Sequence, residues 1–375
     1  MHIKLKTSQG AIIHAEKNPV KRGGEGAIHQ VLANTGPPLV AKIWHDHQKA
    51  FRAQDRIRWM IEHSPLKSAP ASIQNSIIWP KDLLYRNRKF VGYTMELVPN
   101  AIKLFSFIQA DFPNQQWGNE WKKFSLPTGL RNRLIVCYNL VQAVDFLHKT
   151  GHYQVVDMKP ENILIKPNGH ISLIDMDSMQ ISNNGRMLYP ATVFTSEYAP
   201  QEFHYEKALK CDLNEVTREH DLFSLAVILY QILMNVHPFQ ASHAVNTALH
   251  QNILHGLWVH GPRKSLLHRI PQLHNSYHRL PQTIKDLFYQ TFAEGHYTPR
   301  KRVHTEQWTN TLLEELYRGN KAPGQRRKQF PAAPPRQTST KKPAVKRKKA
   351  APQKEKVNTD RGLWIRITNY VFFIK

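Results

Sequence analysis

The chain has 375 residues, of which 41% are hydrophobic, and its formal net charge is +24. This length fits one large folded domain with a tail. Two cysteines without metal-ligand spacing exclude a disulfide-rich scaffold and favour a reducing compartment. The first residues lack the apolar segment of a signal peptide, so we expect a cytoplasmic location. The apolar segment 220–234 is shorter than the roughly 20 residues that a bilayer requires, so we expect no transmembrane span.

A glycine-rich turn is the first informative feature. Gly23, Gly24 and Gly26 lie between two apolar segments typical of strands, and the second of these begins at Ile28. Glycines allow the backbone to approach a phosphate closely, and consecutive N–H groups can bind the anion. A plain hairpin turn would contain the same residues, so both interpretations stay open here.

The next apolar segment, residues 39–44, is interrupted by Lys42. A buried lysine in a strand is costly unless its charge is paired, whereas a lysine at a strand edge can face solvent. Periodicity predicts the following elements, which are strands at 76–80 and 90–98, amphipathic helices at 48–63, 130–148 and 280–292, and a helix at 220–234. The last of these is apolar nearly all round, which predicts burial.

The most informative segment contains Asp157, Asn162 and Asp175. Two short apolar strands, 163–165 and 171–174, are joined by a Lys-Pro-Asn-Gly turn. A hairpin of this length brings its two ends together, so Asn162 and Asp175 should lie close to each other. Asp157 precedes the same strand by a few residues and should join them.

These side chains, together with Lys159, suit the phosphate chain of a nucleotide with its magnesium ion. Asp157 could accept the proton of an attacking hydroxyl, and Asn162 and Asp175 could bind the metal. Lys159 could neutralise the transferred phosphoryl group. Taken alone, an Asp-x-Lys-Pro-x-Asn string could also be a surface turn.

Residues 8–315 resemble a eukaryotic-like serine/threonine protein kinase domain. The closer resemblance is to a divergent bacterial group linked to tellurium-resistance and stress operons. It rests on Gly-Gly-Glu-Gly at 23–26, Ala-Lys-Ile at 41–43, Trp79-Pro80 and Ile-Asp-x-Asp-Ser-x-Gln-Ile at 174–181. The resemblance implies an α+β fold of two lobes, with a small antiparallel-sheet N-lobe at 1–98 and a mainly helical C-lobe at 99–318. It also implies ATP and Mg2+ as cofactors.

The same resemblance assigns the nucleotide pocket. Lys42 would contact phosphates and pair with a carboxylate of the following helix, for which Asp55 stands at the family's usual place before Pro65 and Glu62 is a second candidate. The other residues expected at the pocket are Gly23, Gly24, Gly26, Ile28, Ala41, Met95, and Glu96 and Val98 through their backbone.

Further downstream, the resemblance implies that the Thr195 hydroxyl bridges Asp157 and Lys159. Glu202 would pair with Arg302, which lies far along the chain. Asp221, at the start of the buried helix, would hold the backbone of the catalytic loop.

Three departures from the family pattern stand out. Lys21 replaces the first glycine of the loop, and Val156 replaces the arginine that docks a phosphorylated activation loop. Asp175-Met176-Asp177 replaces Asp-Phe-Gly. None of these changes removes a residue that performs the chemistry. We therefore expect an active kinase for Ser or Thr of protein substrates, with a pseudokinase scaffold and a small-molecule or lipid kinase as alternatives.

The tail carries much of the positive charge. Residues 321–356 contain thirteen Lys or Arg residues against one acid, Glu355. Such a composition predicts disorder across 319–361 and either a solubilising role or contact with a polyanion, namely nucleic acid or anionic lipid. Residues 362–375 are apolar and could contact a partner or a membrane surface. We expect a monomer or a weak dimer.

Overall fold

The structure is a computed structural model, which describes residues 2–32, 36–109, 117–126, 128–208, 216–243 and 248–318. The predictions for the basic segment 321–356 and for the apolar segment 362–375 lie outside the described residues.

In the described part of the chain, seven strands form one antiparallel sheet in the order β2-β1-β6-β7-β5-β4-β3, with a further pairing between β2 and β4. These strands are β1 (His2–Thr7), β2 (Ile12–Glu16), β3 (Lys21–Arg22), β4 (Gly26–Leu32), β5 (Leu39–Trp44), β6 (Asp82–Arg86) and β7 (Lys89–Glu96). The glycine-rich turn joins β3 to β4, at the end of the sheet where β3 is the edge strand. A Cβ added at Gly24 would meet no atom within 4 Å, so the turn has open space beside it.

Helix α1 (His47–Glu62) packs on this sheet through its buried residues Ala50, Ile57 and Met60. Asp46 caps its N-terminus, because the Asp46 carboxylate accepts hydrogen bonds from the backbone N–H groups of Gln48 and Lys49. The helix matches its predicted range to within one residue at each end.

The prediction of a strand at 76–80 was wrong. Ile77 makes an isolated bridge to Leu173, and among the described residues the segment pairs no further as a strand. Instead the segment crosses between the sheet and the helices, and the Trp79 indole donates a hydrogen bond to the Met60 carbonyl at 2.8 Å. All five residues of the segment are buried, so its apolar composition reflects burial in the core without a strand ladder.

The second half of the described chain is mainly helical. Its helices, with the two short ones that precede them, are α2 (Ala71–Gln74), α3 (Leu104–Phe107), α4 (Leu130–Lys149), α5 (Gln201–Ala208), α6 (Arg218–Met234), α7 (Leu249–Leu254), α8 (Gln282–Tyr289), α9 (Gly295–Tyr297) and α10 (Thr305–Arg318). Helix α6 is buried all round from residue 220 onward, as its composition predicts, and packs against α4. No helix within the described ranges is long and apolar enough to cross a membrane.

Short strands connect these helices. They are β8 (Ile102–Lys103), β9 (Tyr153–Gln154), β10 (Ile163–Ile165), β11 (Ile171–Leu173), β12 (Gln180–Asn183), β13 (Arg186–Tyr189), β14 (Ser242–His243) and β15 (Leu267–Arg269). The predicted hairpin is confirmed, because β10 and β11 pair antiparallel with Ile163 opposite Leu173. Strand β8 pairs with the other edge of β10, so β10 is the central strand of a three-stranded sheet.

Candidate active site

The β10–β11 hairpin places Asn162 and Asp175 at the same end. Asn162 directly precedes β10, and the Ile174 N–H donates a hydrogen bond to the Asn162 carbonyl at 2.9 Å. Asp175 follows Ile174 and has a left-handed backbone with φ of 64°. The convergence that the spacing predicts for these two residues is therefore present.

Asp157 lies in a short hydrogen-bond network. One of its carboxylate oxygens accepts a hydrogen bond from the Thr195 hydroxyl at 2.7 Å, and the other lies 2.8 Å from the Lys159 ammonium. The Lys159 ammonium also donates to the Thr195 hydroxyl at 2.9 Å, and the Asn162 amide donates to the Asp157 carbonyl at 3.0 Å. These four side chains are brought together as a unit, with the Asp157 carboxylate fixed from several sides.

The loop that carries Asp157 is held by a buried carboxylate. Asp221, which is 0% exposed, accepts hydrogen bonds from the N–H groups of Val155 and Val156, each at 2.8 Å. The His148 ring nitrogen lies 2.9 Å from the same carboxylate. Val156 has φ of 62°, which is unfavourable for a β-branched residue, so these charge-assisted bonds stabilise a strained backbone.

The side chain of Val156 faces an apolar cluster at the place where the kinase pattern has an arginine. The cluster also contains Ala191, Ala199, Phe203 and Val216. Residues of the segment after Asp175 thus pack on the catalytic loop through hydrophobic contact.

A cavity of about 290 Å³ lies between the glycine-rich turn and the β10–β11 hairpin. Most of the predicted pocket residues line it, namely Gly23, Gly24, Gly26, Ile28, Lys42, Met95, Glu96, Val98 and Asp175. A Cβ at Gly26 would lie 2.6 Å from the Ile43 carbonyl oxygen, so this position requires glycine for the close approach of two strands.

The assignment of Ala41 to this cavity was wrong. Successive side chains of a strand point to opposite faces, so Val40 and Lys42 line the cavity and Ala41 points away from it. Ala41 is fully buried on the other face of the sheet, where it packs with Leu5 and Val91. The alternation of β5 was visible in the sequence and would have selected Val40.

The assignment of Asp55 as the partner of Lys42 was also wrong. The Asp55 side chain is 75% exposed, and its carboxylate lies 2.7 Å from the guanidinium of Arg58. Lys42 is paired instead with Asp175 at 2.5 Å and with Asp177 at 2.8 Å. The sequence reasoning missed Asp177, although an acid in place of the usual glycine was the signal.

The charge state of Lys42 follows from these neighbours. Burial by itself lowers the pKa of Lys42, but Tyr93, Asp177 and Asp175 outweigh it and hold that pKa well above its usual value. The amine is therefore a buried cation at neutral pH.

Asn162 and Asp175 can supply ligands for a hard cation. Asn162 uses its amide nitrogen for hydrogen bonds to Asp157, which leaves the amide oxygen for a metal. The Asp175 side chain is half exposed at the same end of the hairpin. Carboxylate and amide oxygens fit Mg2+, which usually keeps water and phosphate oxygens as its further ligands. The donor set is thus compatible with a magnesium ion shared with a nucleotide.

A second, larger cavity of about 970 Å³ adjoins Lys159 and Thr195. Its lining combines apolar side chains such as Phe105 and Leu273 with Glu161 and Glu197. Lys159 and Glu161 of the catalytic loop thus line an open groove, whereas Asp175 at the end of the hairpin lines the smaller cavity.

Helix α5, which follows Thr195 in the chain, is joined to the helical core by a buried ion pair. The Arg302 guanidinium donates two hydrogen bonds to the Glu202 carboxylate, at 2.6 and 2.8 Å. The Arg302 side chain is fully buried. This contact confirms the pairing that the resemblance implies.

Residues 19–312 match the protein kinase domain. This chain belongs to the protein kinase family.

The relatives of this protein kinase include longer proteins. It is 26% identical over 304 residues to the protein kinase YegI of Escherichia coli (strain K12), a match that covers 78% of this chain and 43% of YegI. It is 33% identical over 109 residues to the serine/threonine-protein kinase MRCK beta of Homo sapiens, over 29% of this chain and 6% of that protein. The chain therefore spans less than half the length of these curated relatives.

Solved structures agree on the fold. A rhoptry kinase from Toxoplasma gondii superposes with a TM-score of 0.56 at 13% sequence identity, over 85% of this chain and 84% of the other. A rhoptry antigen kinase domain of the same organism gives a TM-score of 0.57, also at 13% identity, over 85% and 87% of the two chains. The kinase fold is therefore shared despite the low identity.

We predict that Arg302→Leu lowers the free energy of unfolding by about 3–5 kcal/mol, because it leaves the mostly buried Glu202 carboxylate without its partner. Urea denaturation followed by circular dichroism measures this change. The matched control is Arg58→Gln, since the Arg58 guanidinium lies 2.7 Å from the Asp55 carboxylate and both side chains are exposed, and it should cost less than about 1 kcal/mol. Equal unfolding midpoints for the two variants would contradict the structural role of the buried pair.

Proposed function

We propose that this chain is an ATP-dependent protein kinase that transfers the γ-phosphate of MgATP to Ser or Thr hydroxyls of protein substrates. The observation that carries the proposal is the network in which Asp157 contacts Lys159, Thr195 and Asn162. It supplies a base and a cation next to a metal-compatible hairpin end. Catalysis of phosphoryl transfer depends mainly on such positioning and charge stabilisation.

In this proposal one group of residues binds the nucleotide phosphates and another carries out the transfer. The backbone of Gly23, Gly24 and Gly26 binds the phosphates, and Lys42 holds them by its charge. The Asp157 carboxylate orients the acceptor hydroxyl and accepts its proton, while Lys159 neutralises the transferred group.

The nucleotide's metal and base would be bound by the remaining pocket residues. Asn162 and Asp175 would hold magnesium, which when bound offsets the negative charge of the phosphates. Glu96 and Val98 would bind adenine through their backbone, beside Met95 and Ile28, which also line the cavity.

The open groove supports a protein substrate over a small metabolite. At about 970 Å³ it is more than three times the volume of the nucleotide cavity, and it begins at Lys159 and Thr195. Glu161 and Glu197 lie on its lining, so an acceptor segment with basic residues is favoured.

Regulation by a phosphorylated activation loop is not part of this proposal. Val156 cannot pair with a phosphate as an arginine would, and it packs in an apolar cluster instead.

The motifs at 23–26 and 174–181 favour the bacterial group associated with tellurium-resistance and stress operons. We further propose a cytoplasmic protein that is monomeric or weakly dimeric, and size-exclusion chromatography with light scattering would test its oligomeric state.

Nucleotide binding gives the first test. ATP with magnesium should raise the melting temperature of the wild type, since a ligand that binds the folded state stabilises it by mass action. Asp175→Ala should abolish the magnesium-dependent part of the shift, whereas the exposed Asp286→Ala should retain it. Absence of any shift at millimolar ATP would contradict the kinase assignment.

Phosphoryl transfer gives the second test. Asp157→Asn should keep the ATP-induced shift in melting temperature but lower transfer to a generic protein acceptor by at least about 100-fold, because general base catalysis is lost. Radiolabelled ATP measures the transfer, with Asp286→Asn as the control. Equal labelling by the wild type and Asp157→Asn would favour a nucleotide-binding scaffold and point to a contaminating kinase.

The basic segment 321–356 is proposed to bind a polyanion, on the basis of its charge. A chain shortened to residues 1–320 should keep its turnover on a soluble peptide but lose binding to DNA or to anionic vesicles. Binding by the full chain should weaken steeply with added salt, since each phosphate contact releases counterions. Equal binding by the shortened chain would leave the segment only a solubilising role.

A further inference from the structure

The carboxylate that holds the strand lysine of this kinase comes from an unexpected element. The Lys42 ammonium donates hydrogen bonds to both carboxylate oxygens of Asp177, each at 2.8 Å, and to one oxygen of Asp175 at 2.5 Å. Helix α1 contributes no carboxylate to this cluster, because Asp55 pairs with Arg58 on the surface and Glu62 is exposed. The departure from Asp-Phe-Gly therefore has a structural consequence.

Helix α1 places a cation where a carboxylate would be expected. Arg56 is buried against the cluster, and its guanidinium donates a hydrogen bond to the Asp177 carbonyl at 3.0 Å. A second guanidinium nitrogen donates to the Pro190 carbonyl. Arg56 thus ties α1 to the backbone of Asp177 and to the segment that follows it.

The two aspartates differ in exposure. The Asp175 side chain is 50% exposed, whereas the Asp177 side chain is 7% exposed and lies as deep as that of Lys42. Asp175 can therefore turn toward a metal ion, while Asp177 stays enclosed with the lysine. A buried ammonium needs such a permanent partner, since an unpaired buried charge is strongly unfavourable.

We propose that Asp177 is the positioning residue for Lys42, in place of a carboxylate on helix α1, and that Arg56 holds Asp177 in position through its backbone carbonyl. This inference rests on the proposed function. During transfer, Asp177 keeps the Lys42 ammonium aimed at the nucleotide phosphates when Asp175 is engaged by the metal. Asp177, the partner of Lys42, and Asp175, the proposed metal ligand, then lie two residues apart in one loop.

The first test uses the nucleotide-free protein and a double-mutant cycle. Asp177→Asn should lower the melting temperature by about 2 °C or more in the wild type, because Lys42 loses a charged partner. In the Lys42→Met background the same change should raise the melting temperature or leave it unchanged, since it removes one of two carboxylates that no longer face a cation. An equal decrease in both backgrounds would overturn the proposal.

The second test is kinetic. Asp177→Asn should lower kcat at least about tenfold while the KM for ATP changes less than about threefold, because misplacing a phosphate-binding group affects the transfer step more than binding. Arg56→Gln should also lower kcat, because Asp177 loses the hydrogen bond to its backbone carbonyl. Asp55→Asn is the discriminating control and should stay within about twofold of the wild type in kcat. A wild-type kcat for Asp177→Asn, or a loss confined to Asp55→Asn, would overturn the proposal.

Magnesium dependence separates two roles of Asp177. If Asp177 acts through Lys42, raising magnesium tenfold above saturation for the wild type should not restore kcat in Asp177→Asn. Full recovery would make Asp177 a metal-binding residue and would overturn the proposal. If the wild type itself transfers no phosphate, the proposed function fails, and the melting-temperature cycle still decides whether Asp177 is the partner of Lys42.

Discussion

The buried carboxylate of Asp221 is the constraint on which the catalytic loop depends. It has no contact with solvent, accepts hydrogen bonds from two backbone N–H groups, and lies within hydrogen-bond distance of the His148 ring. These bonds hold Val156 in a positive-φ conformation that a β-branched residue disfavours. The following residue, Asp157, is thereby aimed at the open end of the hairpin. Helices α4 and α6 carry His148 and Asp221, so their packing sets the geometry of the loop.

Two further buried charges organise the molecule around this loop. Arg302 pairs with Glu202 and joins helix α5 to the helical core. Lys42 lies in the sheet and reaches across to the loop after β11. Each pair joins elements distant in sequence, at positions where an unpaired charge would be costly. Such pairs favour one arrangement of the sheet and the helices over looser alternatives.

The two cavities differ in the charged residues that line them. The smaller cavity is lined by Lys42 and the glycine-rich turn, a lining that suits the polyphosphate of the proposed nucleotide. The larger groove carries Glu161 and Glu197, although the chain as a whole has a large positive charge. Lys159 and Thr195 line the larger groove, and Asp157 contacts both of them, while Asp175 lines the smaller cavity. This arrangement supports the proposed transfer from a nucleotide to a polypeptide.

Local sequence was sufficient for many of the elements and for much of the site. Periodicity and turn residues predicted α1, α4, α6 and the β10–β11 hairpin, because each depends on contacts within one segment. Hairpin spacing predicted that Asn162 and Asp175 lie close together, and the resemblance to protein kinases implied the contact of Thr195 with Asp157 and Lys159. Strand alternation, had it been applied to β5, would have replaced Ala41 by Val40. The strand predicted at 76–80 failed because an apolar pattern records burial and does not specify a hydrogen-bond partner.

The partner of Lys42 was decided only by the tertiary structure. The sequence offered Asp55 and Glu62 on the following helix and did not point to Asp177, because which acid meets Lys42 depends on how α1 and the loop after β11 pack. Packing of α1 on the sheet sends Asp55 to solvent and Arg56 inward, while the loop after β11 buries Asp177 beside the lysine. The sequence by itself determined the protein kinase family and the residues available for chemistry. Which charges meet depended on the relative placement of distant elements, because a buried ion pair forms only where three-dimensional packing brings both groups out of water.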